Sequence, residues 1–143
     1  MQEEFVIKGK KVVEGTGSGQ ALVSKNAICF LKTISLDGVV IDHHHDLYGQ
    51  SIVGKVLVYP TGKGSCAASY KLYQLAIDGK SPKCIINIQS DSVTLSGAFL
   101  GKIPMIHRLD LDPTEAIETG DMVEYNADKG FVKVIKQRNR SVA

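Results

Sequence analysis

Gly54-Lys-Val-Leu-Val-Tyr-Pro-Thr-Gly-Lys-Gly-Ser65 decides the fold. Its first half is a continuous apolar run, ended by Pro60. A run without the alternation of a half-solvated strand reads as a central strand buried on both faces, as in parallel sheets. The second half, with Gly62 and Gly64, marks a loop. Beyond it, Ala68, Leu72, Leu75 and Ala76 fall at i, i+4, i+7 and i+8. That single apolar face predicts a helix, which Asp78-Gly79 stops.

Downstream, residues 83–88 are apolar and β-branched and predict a second buried strand. Asp91 or Ser92 can cap a short helix that runs through Leu100 and ends at Gly101. Residues 103–106 predict a third strand, and Asp112 can cap a helical turn at 113–117. Residues 122–125 and 131–135 form a hairpin. Upstream, residues 5–13 alternate apolar and polar residues, a strand signature. Gly15, Gly17 and Gly19 read as a flexible turn without the spacing of a dinucleotide fingerprint. Residues 21–23 and 27–31 read as short strands, and Asp37-Gly38 as a turn into a strand at 39–41. The fold class is α/β, a mixed sheet with two main helices: three mostly parallel strands joined by antiparallel strands from both ends of the chain. Residues 1–135 read as one domain and residues 136–143 as a basic, frayed tail.

The 143 residues are 43% hydrophobic and 22% charged, a globular composition. A net charge of +2 excludes a nucleic-acid binder acting through bulk charge. No apolar run is long enough for a transmembrane helix, so no membrane partner is expected. Met1-Gln-Glu-Glu carries acids where a signal peptide needs bases, which predicts a cytoplasmic protein. Cys29, Cys66 and Cys84 contain no C-x-x-C pair, hence no zinc-ribbon or self-contained iron–sulfur pattern. Cys29 and Cys84 sit in apolar runs and read as small buried hydrophobes. Cys66 stands at the expected helix start, where a thiolate is favoured, but no histidine is near it in sequence.

The glycine loop is the candidate site. Ligand sites of α/β sheets lie at the carboxyl ends of strands. A helix N-terminus there offers unpaired N–H groups and about half a unit of positive charge, which suit a carboxylate or phosphate. Gly62 and Gly64 allow close backbone approach, Lys63 adds a cation, and Ser65 presents a hydroxyl at the same spot. The plainer reading is that Ser65 only caps the helix while Lys63 is solvated. Neither a Walker A motif nor a G-x-S-x-G elbow is present.

The second cluster is Asp42-His-His-His-Asp-Leu-Tyr-Gly-Gln-Ser51. In extended chain His43 and His45 point one way and His44 the other, so at most two reach one ion. The better expectation is a polar loop that lines a site or packs on a partner, with His45, Asp46, Gln50 and Ser51 as its candidate contacts, and no metal.

These motifs taken together resemble one family. G-x-G-x-A-L-V-S (residues 17–24), D-x-x-H-D-L-x-G-Q-S-I (42–52), G-K-V-L-V-x-P-x-G-K-G-S (54–65), S-Y-x-L-Y-x-L (69–75) and the segment to Gly101-Lys-Ile-Pro resemble the small subunit of aconitase X enzymes. The resemblance spans about residues 8 to 125. It implies a fold similar to the swivelling β/β/α domain of aconitase, docked on a large subunit that carries an iron–sulfur cluster. It implies no cofactor in this chain and a hydro-lyase acting on a small anionic hydroxy acid. One branch of the family dehydrates (R)-5-phosphomevalonate to trans-anhydromevalonate 5-phosphate, the other cis-3-hydroxy-L-proline. Ser65 maps onto the proton-abstracting base, with Gly62, Lys63, Gly64 and Cys66 beside the substrate. The H-D-L-Y-G-Q-S-I segment and Lys63 sit closer to the phosphomevalonate branch. Lys32-Thr33 stands where the family has a Gly-Gly pair, and His43 and His44 match neither branch.

Two readings compete with the enzyme subunit: a non-catalytic module that binds an anionic metabolite or protein through the same loop, and a standalone metal protein built on residues 43–45.

Overall fold

The structure, a computed structural model, describes residues 3–137. The chain opens with β1 (Glu4–Lys8), β2 (Lys10–Val13) and β3 (Thr16–Val23). β4 (Val56–Tyr59), α1 (Cys66–Ile77), β5 (Cys84–Asn87), α2 (Ser92–Gly101) and β6 (Met105–His107) follow. α3 (Pro113–Ala116), β7 (Met122–Asn126) and β8 (Phe131–Ile135) close it. The strands order as β1-β8-β7-β3-β4-β5-β6-β2. β3, β4, β5 and β6 pair in parallel. The first part of β3, residues 16–20, pairs antiparallel with β7. β3 therefore joins the two halves of the sheet.

The pleat explains the layering. Leu22, Leu57, Tyr59, Ile85 and Met105 share one core with Ala68, Leu72 and Leu75 of α1 and Ala98 of α2. Their neighbours Ala21, Val56, Val58, Cys84, Ile86 and Ile106 share the other with Ile7, Val123, Val132 and Val134 of the antiparallel strands. Successive residues of a strand point to opposite faces, so a strand covered by helices on one side and strands on the other must be apolar throughout. All four residues of β4 are buried for this reason. The result is three layers, β/β/α, as the family resemblance implies. The two helices meet where a Cβ on Gly97 would stand 2.8 Å from Ser69 O. The Ser69 hydroxyl donates to Val93 O at 2.7 Å across the same crossing.

Several local expectations change. The alternating segment at 5–13 is two strands: β1 pairs with β8 at one edge of the order and β2 with β6 at the other. Only Gly9 separates them, so the two edges lie side by side, and Gly9 N–H donates to Gly130 O. Gly15 turns with a φ of 142°, but Gly17 and Gly19 lie inside β3. A Cβ on Gly17 would overlap the Tyr125 ring. Close packing, not flexibility, accounts for that glycine. Residues 27–31 form one bridge, Ile28 to Gly62, and then a turn rather than a strand. Residues 39 and 40 likewise form isolated bridges, to Ser51 and Ile34. The third parallel strand begins two residues later than expected, at Met105. The basic tail falls outside the described residues from 138 on; Lys136 donates to Asp121 Oδ2 at 2.7 Å.

Leu72 is completely buried between α1 and the sheet. Leu72→Ala is expected to destabilise the chain by about 2–5 kcal/mol, read from the midpoint of urea unfolding.

Candidate functional site

β4 ends at Tyr59, and its carbonyl end leads through Pro60 and Thr61 into the loop that starts α1. The loop is held from two sides. Ile28 N–H donates to Thr61 O at 3.2 Å, and Lys63 N–H donates to Ile28 O at 3.0 Å. On the opposite flank Gly62 is buried, and a Cβ there would overlap both Asp91 Oδ1 and Thr94 Oγ1 of the α2 N-terminus. Two residues on, Gly64 adopts a φ of 125°, a left-handed backbone that favours glycine. A Cβ at Gly64 would stand 2.6 Å from Cys29 Sγ.

Ser65 is the N-cap of α1, with φ −94° and ψ 177°, yet its side chain makes no cap hydrogen bond. That separates it from Asp91 and Asp112, whose carboxylates accept from Thr94 N–H and Thr114 N–H at the starts of α2 and α3. Ser65, Lys63, Gly64 and Cys66 are all exposed. The first turn of α1 carries no acid, so no side-chain anion of its own neutralises its N–H end, where Ala68 N–H donates to Ser65 O at 2.9 Å. The arrangement offers a hydroxyl not used as a cap, an exposed cation and the positive end of a helix at the end of a strand buried on both faces.

The histidine loop supports this site from behind. His45 is buried. Its Nδ1 accepts from Leu47 N–H at 3.1 Å, which leaves Nε2 to donate to Ala27 O at 3.2 Å. Nδ1 also lies 3.1 Å from Asp46 Oδ1, but its lone pair is already engaged by Leu47, so this contact is not an ion pair. Asp46 instead accepts from the Ser24 hydroxyl at 2.6 Å and from Lys25 N–H at 2.9 Å. His45 and Asp46 thereby fix residues 24–27, directly before the Ile28 that grips the loop. Gln50 and Ser51 come just after the turn that follows: Gln50 O accepts from Val40 N–H, and Ser51, bridged to Val39, accepts at Oγ from Val53 N–H at 3.2 Å. His43 is exposed and stacks on Tyr48 with ring centroids 4.5 Å apart. Among the described residues, no three His, Cys, Asp or Glu side chains converge as a metal site. Cys29 and Cys84 are buried, and burial pushes the Cys84 thiol far above its ordinary pKa.

The sequence reading missed what lies beneath Gly62. Tyr59 and Asn87 end β4 and β5 side by side and are fully buried. Asn87 Nδ2 donates to Tyr59 O at 3.0 Å. Tyr59 Oη, Asn87 Oδ1 and Asp91 Oδ1 are buried without a hydrogen-bond partner. Burial pushes the Tyr59 pKa well up; the Asn87 side chain draws it back, the Asp91 charge raises it, and Thr94 lowers it again. Next along the same sheet end, Ser90 N–H donates to His107 Nδ1 at 3.1 Å. Arg108 follows with a φ of 53° and holds Gln89 Oε1 through Nε at 2.9 Å. A separate groove of about 910 Å³ lies by Val13, Phe99, Leu100 and Lys102. It sits at the amino ends of the parallel strands, where Val13 pairs with Met105, away from the carboxyl-end loop.

The aconitase X swivel domain matches residues 6–134. The chain belongs to the aconitase X swivel-domain family. It is 36% identical over 137 residues to the phosphomevalonate dehydratase small subunit of Methanosarcina acetivorans, covering 95% of each chain. It is 41% identical over 129 residues to the protein of that name from Methanocella arvoryzae, covering 90% of this chain and 98% of the relative. Its fold superposes on the crystal structure of Thermococcus kodakaraensis aconitase X, holo-form, with a TM-score of 0.87 at 37% identity. That match covers 92% of this chain and 99% of the other. No helix among the described residues is long and apolar enough to cross a membrane.

Two outcomes test this geometry. Gly64→Ala forces a side chain into a left-handed position against Cys29 and is expected to cost about 1–3 kcal/mol by urea unfolding. Burial, reinforced by the charge of Arg108, lowers the pKa of His107 below its ordinary 6.5. The unfolded chain therefore binds more protons near pH 6, and stability falls as pH drops below about 6.5. His107→Gln is expected to flatten that part of the stability–pH curve, measured by thermal unfolding.

Proposed function

We propose that this chain is the small subunit of an aconitase X-type hydro-lyase that dehydrates (R)-5-phosphomevalonate, with Ser65 as the base. The observation that carries the reading is the Ser65 hydroxyl: it stands exposed at the N-terminus of α1 and is not used as a cap. A serine is a weak base at its ordinary pKa and needs help to become an alkoxide. The α1 N-terminus lowers the energy of a negative oxygen beside it, and the Lys63 ammonium adds to this. Ser65 Oγ, as alkoxide, takes the proton from the carbon next to the substrate carboxylate; the C–H electron pair becomes the new C=C bond as the neighbouring C–O bond breaks, and the departing hydroxide and a proton leave as water. Lys63, the Gly64 backbone and Cys66 surround the same spot and bind the anionic substrate. Gly62 serves from beneath, because it is buried. The relatives that support this substrate are themselves named phosphomevalonate dehydratase small subunit.

The cysteines give no sign of a cluster site among the described residues. Cys29 and Cys84 are buried in different surroundings, Cys66 is exposed on α1, and no donor set among the described residues fits a metal. The iron–sulfur cluster and the remaining substrate contacts belong, in this reading, to a large subunit that closes over the loop. Exposed Lys63, Gly64, Ser65 and Cys66 form the mouth that such a partner completes.

The test is co-purification with the large subunit and assay of dehydration. The pair is expected to convert phosphomevalonate, and Ser65→Ala to lose at least about a thousandfold in kcat. Turnover of cis-3-hydroxy-L-proline in preference to phosphomevalonate would overturn the substrate, and full activity in Ser65→Ala the mechanism.

A further inference from the structure

We propose that Asp91 and Thr94, at the start of α2, are positioning residues for Ser65, acting through the backbone of Gly62. The inference rests on the reading of Ser65 as the base. Four observations carry it. Gly62 has no room for a Cβ because Asp91 Oδ1 and Thr94 Oγ1 occupy that direction. The opposite flank of the loop is pinned by the two Ile28 hydrogen bonds, so Gly62 is held between α2 and residue 28. Thr94 is buried, and Asp91 spends Oδ2 on the α2 cap while its buried Oδ1 has no hydrogen-bond partner. Behind these two, the polar side chains of Tyr59 and Asn87 are fully buried, and Asn87 and Thr94 both act on the Tyr59 hydroxyl.

An unpartnered buried polar atom such as Asp91 Oδ1 costs stability, and an apolar cluster would avoid that cost. A polar cluster packed against the single residue that sets the course of the loop is explained by what the loop must do. Only Lys63 and Gly64 separate Gly62 from Ser65, and Gly64 is a left-handed glycine where Cys29 Sγ leaves no room for a Cβ. A shift at Gly62 therefore passes to Ser65 and changes where its hydroxyl sits relative to the α1 N–H groups. Reacting groups displaced by about 1 Å lose up to a hundredfold in rate. Asp91 has two separable duties: the cap needs any short side-chain oxygen, whereas the contact on Gly62 needs the second carboxylate oxygen.

The experiment uses the complex with the large subunit. Thr94→Val removes the hydroxyl at nearly constant shape, and Thr94→Ser restores it. Asp91→Ser keeps a capping oxygen and removes the one that faces Gly62. The expected result is a fall in kcat of about tenfold in Thr94→Val and Asp91→Ser, with KM within about threefold of the parent and recovery in Thr94→Ser. Amide hydrogen exchange at residues 63–65 is expected to quicken in the first two variants and not in the third. Unchanged kcat in Thr94→Val and Asp91→Ser, or a loss no larger than the fall in folded fraction by circular dichroism, overturns the proposal. Ser65→Ala is assayed alongside. If it is inactive while the α2 variants retain kcat, only the positioning role fails; if it retains turnover, the reading of Ser65 fails and the positioning role with it.

Discussion

Residue 62 has space for a hydrogen atom and nothing more. The α2 cap stands against it on one side, and the bridge to Ile28 fixes the backbone around it on the other. That exclusion ties three distant parts of the chain to one loop: the turn after β3, the end of β4 and the start of α2. The central strand supplies the rigid base. β4 is buried on both faces and pairs with β3 and β5, so its carboxyl end has little freedom. A serine presented from such a base can be aimed, while its own side chain remains free of structural duty.

The backbone of the fold was legible because its signals are local. An unbroken apolar run, a glycine loop and a 3.6-residue periodicity placed β4, the loop and α1, and the same logic found β5, α2 and the closing hairpin. The misreadings share one cause. Gly17 and Gly19 look like turn residues, but Gly17 is required by the Tyr125 ring across the sheet, a neighbour far away in sequence. Residues 27–31 and 39–41 carry strand-like composition, yet their backbone partners are single bridges and turns set by tertiary contacts. Residues 5–13 look like one strand because nothing in their pattern announces that Gly9 sends the two halves to different partners.

For the site, the sequence exposed the chemistry and concealed its support. Gly62, Lys63, Gly64 and Ser65 are contiguous, so a motif can reveal them. His45 was recognisable as a loop residue, but its duty, an Nε2–H held to Ala27 O, depends on a fold that brings two turns together. Tyr59, Asn87, Asp91 and Thr94 come from the ends of two strands and the start of a helix. A central tyrosine reads as ordinary core, an aspartate before a helix reads as a cap, and both descriptions hold. Their convergence under a glycine is a property of the sheet register, in which Tyr59 lies opposite Asn87.

β1 spans residues 4–8, and its partner β8 spans residues 131–135. β1 thus lacks the strand it pairs with until residues 131–135 have been synthesised. Until then Ile7, which belongs under the β-layer, stays uncovered. A chain truncated before residue 131 would leave β1 without its partner in the sheet, an unpaired edge open to association with other chains.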